Sequence, residues 1–174
     1  MPRVLRAVAA AYDRLVSVLA VLAAASIVLG FVLIVLDVTL RAVGLRPFAF
    51  TSAVVEYVLL YFTLFAAPWL VRNKGHVYVD ALIARFSGRM RWLAEKFAYA
   101  VCVATSLAFA MVGFRLAFDA IVSGSIEERS IDVPSWVDYG PVGPVFLIVA
   151  IEFARYLIGR DSMYRDHSQP ADSL

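Results

Sequence analysis

Four long apolar blocks occupy most of this 174-residue chain, and what separates them is short. Leu15–Leu36 runs for 22 residues without a charge. As a helix that is about 33 Å, enough to cross the roughly 30 Å hydrocarbon core of a bilayer. Phe97–Phe114 adds 18 uncharged residues, and Phe48–Val71 carries a single ionisable side chain, Glu56. A fourth block, from Trp136 to Ile158, has an uncharged stretch of 13 residues, Tyr139–Ile151. With 62% hydrophobic residues, such a pattern leaves no room for a soluble domain with its own core. The expected fold is an all-α integral membrane protein of four transmembrane helices, spanning 15–37, 48–71, 93–122 and 136–158, in one domain covering 1–174. Tolerance of Pro141 and Pro144 in the fourth span follows from their place at its first turn, where a missing N–H has no partner to lose.

The N-terminus also resembles a secretory signal, with Arg3 and Arg6 before an apolar run and Ala23-Ala24-Ala25-Ser26 as a small-residue cleavage site. The apolar run continues through Ile27 to Leu36, so cleavage would strand a fragment too short to span. An uncleaved first helix is therefore expected.

Charge sets the expected orientation. Arg3, Arg6 and Arg14 precede the first block; Arg72, Lys74, Arg85, Arg89, Arg91 and Lys96 lie between the second and third; Arg155, Arg160 and Arg165 follow or close the fourth. The other two loops hold fewer basic residues: Arg41 and Arg46 in one, and Arg129 among Glu127, Glu128 and Asp132 in the other. The positive-inside rule then puts both termini, including the tail 159–174, and the middle loop in the cytoplasm. In that middle loop Val79, Leu82, Ile83, Phe86 and Met90 form a helical stripe beside Asp80, Arg85, Arg89 and Arg91. A short amphipathic interfacial helix is expected over 77–90, against membrane lipid or a neighbouring subunit.

Charges at membrane depth need a partner or a wet cavity. Asp37 and Arg41 are four apart and can pair, as can Arg115 and Asp119. With Glu56 these form one layer toward the outer side, where Glu56 and Arg115 are suggested to meet. Acids matched by arginines favour a structural clamp over a proton relay. Gly30 and Gly113 allow close helix packing. The net charge of +2 suggests no nucleic-acid partner, the single Cys102 permits no internal disulfide, and His76 and His167 lie outside the spans, which argues against haem held between helices. No phosphate loop, nucleophile elbow or metal-ligand spacing is present, so neither enzyme activity nor a cofactor is expected.

The order of motifs resembles a known family. The first span runs into Asp37-Val-Thr-Leu-Arg41; the second opens Phe50-Thr-Ser-Ala-Val-Val-Glu56-Tyr57 and exits through Gly75-His76-Val77-Tyr78-Val79-Asp80; Ile131-Asp-Val-Pro-Ser-Trp136 precedes the fourth. These are similar to the small membrane subunit of tripartite ATP-independent periplasmic (TRAP) transporters, over nearly the whole chain except the two tails. One departure is that the family more often has a Trp shortly before the acid of span two. The resemblance implies a multi-pass protein of the bacterial inner membrane that scaffolds a large transport subunit. That subunit would import an organic acid or similar solute, delivered by a periplasmic solute-binding protein and coupled to sodium. Asp37, Arg41, Glu56, His76, Asp80, Arg115 and Asp119 are then candidates for structural or subunit-interface roles. The alternatives are a membrane anchor of a respiratory enzyme and a stand-alone proton-coupled exporter.

Overall fold

The structure, a computed structural model, describes residues 3–46, 48–73, 88–128 and 132–159. Helix α1 spans Arg3–Ala42, α2 Thr51–Arg72 and α3 Gly88–Ser123. A small antiparallel hairpin follows, β1 (Ile126–Glu128) against β2 (Asp132–Pro134), and then α4 (Trp136–Tyr139) and α5 (Val142–Ile158). The four expected spans correspond to four helical segments long and apolar enough to cross a membrane, α4 and α5 together making the last. Most of the expected interfacial segment, 77–87, lies outside the described residues, as do His76 and Asp80; positions 88–90 are the first turn of α3.

Chain chemistry explains where the helices stop. At the end of α1, Gly44 takes a φ of +79°, which a side chain would disfavour. The Gly44 N–H then donates to the Arg41 carbonyl (3.1 Å) and the Leu45 N–H to the Leu40 carbonyl (2.9 Å), the paired bonds of a Schellman cap. The hairpin sets Ile126 opposite Pro134 and Glu127 opposite Val133, closed by a bond from the Ser135 N–H to the Ser125 carbonyl at 3.0 Å. Pro141 immediately precedes α5 and Pro144 lies in its first turn, as their missing N–H groups require.

The helices pack as two pairs, α1 on α2 and α3 on α5, joined where α2 meets α5. Small residues set the second pairing. A Cβ added to Gly113 would lie 2.7 Å from the Gly143 nitrogen, and one added to Gly143 would lie 2.8 Å from the Phe114 ring. Gly30 does the same less severely for the first pair, where a Cβ would lie 3.2 Å from Val58 Cγ1. At the end of the bundle away from the hairpin, Val71, Tyr99, Val149 and Phe153 form a buried apolar cluster drawn from α2, α3 and α5. Much of the remaining apolar surface of α1 and α3 is open, including Phe31, Met111 and Phe118. In lipid that exposure carries no hydrophobic penalty, since the surroundings are as apolar as the side chains.

Candidate functional site

Polar chemistry gathers at the two ends of the bundle. At the hairpin end, the spacing of Asp37 and Arg41 brings them together as expected: Arg41 Nε donates to Asp37 Oδ2 at 2.8 Å. Both line a pocket between α1 and α2, and Glu56 lines its other wall with Thr51 and Ser52. The structure thus groups Glu56 with the charges of α1. Arg115 and Asp119 are exposed on α3, which packs on α5, and neither lines that pocket.

The opposite end holds a denser arrangement. Glu152, only 2% exposed, accepts from Arg72 through both Nη2 (2.7 Å) and Nε (3.0 Å) at its Oε1. Arg155, one turn along α5, reaches Glu152 Oε2 at 3.2 Å. Arg72 also bridges to Asp13 of α1 at 3.1 Å and lies over the Tyr12 ring, 5.3 Å from its centroid. The Tyr12 hydroxyl donates to the Ile148 carbonyl of α5 at 3.3 Å, and the Tyr156 hydroxyl donates to the Arg72 carbonyl at 2.9 Å. A carboxylate this buried is tolerated because two guanidinium groups and their hydrogen bonds replace the water it has lost.

Lys96 brings in the remaining helix. Its ammonium donates to the carbonyls of Tyr156 (2.9 Å), Leu157 (2.6 Å) and Gly159 (3.0 Å). These are carbonyl groups at the end of α5, which have no partner within the helix and carry the negative end of its dipole. Three donors and a positive charge satisfy both needs at once. All four spans are therefore tied at one level, by Tyr12 and Asp13 of α1, Arg72 of α2, Lys96 of α3 and Glu152 of α5.

The sequence places Glu152, Arg155 and Tyr156 at the inner interface of the fourth span and counts the basic residues in assigning orientation, but it does not bring these residues together as a clamp. Asp13, Arg72 and Glu152 are far apart in the chain, and their meeting depends on helix packing. The one local signal was a carboxylate, Glu152, inside an apolar block with Arg155 one turn later. Among the described residues, no group of three or more His, Cys, Asp or Glu side chains is arranged to hold a metal ion.

Four membrane-length apolar helices, with their polar groups engaged in holding one helix to another, define a multi-pass membrane component. Comparison with family models gives the assignment: residues 30–159 match the DctQ component of tripartite ATP-independent periplasmic transporters. The chain belongs to that family, the small membrane component of TRAP transporters. Searches of curated proteins and of solved structures found no match.

Proposed function

We propose that this subunit is a non-catalytic scaffold for the large membrane subunit of a secondary uptake transporter in the bacterial inner membrane. The observation that carries the reading is the clamp around Glu152. The most buried carboxylate of the described chain joins α5 to α2 through Arg72, with Arg155 of its own helix beside it, which is the use a scaffold makes of a charge. Open apolar faces on α1 and α3 supply surface for a membrane partner.

On this reading both termini and the loop between α2 and α3 face the cytoplasm, so the hairpin end faces the periplasm. A soluble binding protein delivers an organic acid or similar solute there, and the large subunit moves it with sodium. Asp37, Arg41, Glu56, Arg115 and Asp119 serve packing or subunit contact at that side, and His76 and Asp80 at the other. The test is to tag the chain in its native cell, extract it in mild detergent and identify what co-purifies. Recovery with a much larger polytopic protein, and solute uptake that needs both, is the expected result. Recovery alone, as a homodimer that moves solute in vesicles, would overturn it.

A further inference from the structure

The pocket between α1 and α2 at the hairpin end combines charges, hydroxyls and apolar walls in one cavity. Its depth is set by the uncharged run Leu15–Leu36, about 33 Å of helix, which ends at Asp37. Asp37 therefore stands where hydrocarbon gives way to lipid headgroups. The cavity there has a volume of about 340 Å³ and is open to the surroundings. Ile34 and Val55 contribute apolar lining, Thr51 and Ser52 hydroxyls, the Arg41–Asp37 ion pair one charged wall and Glu56 the other.

Side-chain direction brings Arg41 and Glu56 to one level. Helical side chains lean toward the N-terminus of their own helix, and α1 and α2 run in opposite directions. Arg41, beyond Asp37 on α1, leans back toward the bilayer and reaches Asp37 through Nε. Glu56, inside α2, leans outward toward Thr51. The Arg41 side chain remains 66% exposed while its Nε is held by Asp37. Arg41 with its partner Asp37 on one wall, and Glu56 on the other, thus offer a donor and an acceptor to one cavity above apolar side chains.

We propose that this pocket binds an amine-bearing zwitterionic phospholipid of the phosphatidylethanolamine type. Arg41 donates to the phosphate, Glu56 accepts from the primary ammonium, and the acyl chains run down past Ile34 and Val55. A quaternary choline has no N–H to donate to Glu56, so the site distinguishes the two headgroups. This inference does not depend on the transport role; it requires only that the chain span a bilayer.

The test is native mass spectrometry of the purified full chain in detergent. Dioleoyl phosphatidylethanolamine, phosphatidylcholine and phosphatidylglycerol are titrated separately. The ethanolamine lipid should bind about tenfold more tightly than the choline lipid, the low end for a hydrogen bond to a charged group. Glu56→Gln should erase that preference and leave phosphatidylglycerol binding unchanged. Ser52→Trp, which fills the pocket with the charges intact, should weaken the ethanolamine lipid as well, with helical circular dichroism of both variants matching the wild type. Equal binding of the ethanolamine and choline lipids, or a preference that survives both substitutions, would overturn the proposal. So would cross-linking of the Ser52→Cys variant to a partner subunit in place of lipid, since a partner side chain would then occupy the pocket.

Discussion

Removing Arg72 tests the clamp most directly. In Arg72→Leu, Glu152, 2% exposed in the wild type, loses its two shortest bonds, at 2.7 and 3.0 Å. Arg155 is left, at 3.2 Å and with its own side chain 56% exposed, so it compensates only in part. Breaking one partner of a buried ion pair costs about 3–5 kcal/mol, and the remaining arginine places this case near 3 kcal/mol. Loss of Asp13 contributes little, because that carboxylate is 60% exposed and exposed pairs are worth about 0–1 kcal/mol. The informative variant is the double one, Arg72→Leu with Glu152→Leu. Replacing both charges by apolar groups is often neutral, so the pair should recover most of what the single Arg72 change loses. Reversible unfolding of the wild type, the two single variants and the double variant in mixed detergent micelles, titrated with dodecyl sulfate, gives the coupling energy. If the two changes add within about 0.5 kcal/mol, the residues act independently and the clamp is refuted.

Other outcomes follow from the same geometry. Gly113→Val should force α3 away from α5, costing about 1–3 kcal/mol in the same titration, because the new Cβ meets Gly143 backbone at 2.7 Å. Lys96→Met should leave three carbonyls of the α5 terminus without their ammonium donor. A loss of about 1–3 kcal/mol is expected, together with faster hydrogen exchange confined to the last turn of α5. Gly44→Ala places a side chain at a φ of +79° and should lower stability by about 1 kcal/mol with no change in helix content by circular dichroism.

The bundle was largely legible in the sequence because each span is a local property: a run of apolar residues needs no knowledge of its neighbours to be recognised. The same holds for the Asp37–Arg41 pair, whose i,i+4 spacing guarantees proximity once the helix exists, and for Gly113, whose missing side chain marked a close approach. The Arg72–Glu152 bond was not legible, since 80 positions separate its ends and only the crossing of α2 and α5 brings them together. Lys96 looked like one more cytoplasmic charge; its three carbonyl partners exist only because α3 runs beside the end of α5. The hairpin was missed for a different reason. Its paired strands are three residues each, too short for alternation to register against the charged residues around them.

The unequal lengths of α3 and α5 carry a consequence for the lipid around them. With 36 residues α3 is about 54 Å long, whereas the 17 residues of α5 reach only about 26 Å, and the two pack side by side. Their apolar parts are nevertheless matched: Phe97–Phe114 of α3 gives about 27 Å, and α4 with α5, Trp136–Ile158, about 35 Å, both near a hydrocarbon core about 30 Å thick. The surplus of α3 is its charged start. Lys96 already sits at the end of α5, so the residues before it overhang that helix by about 12 Å. Arg89 and Arg91 lie on this overhang, at the level of lipid headgroups, where basic side chains gather anionic lipid.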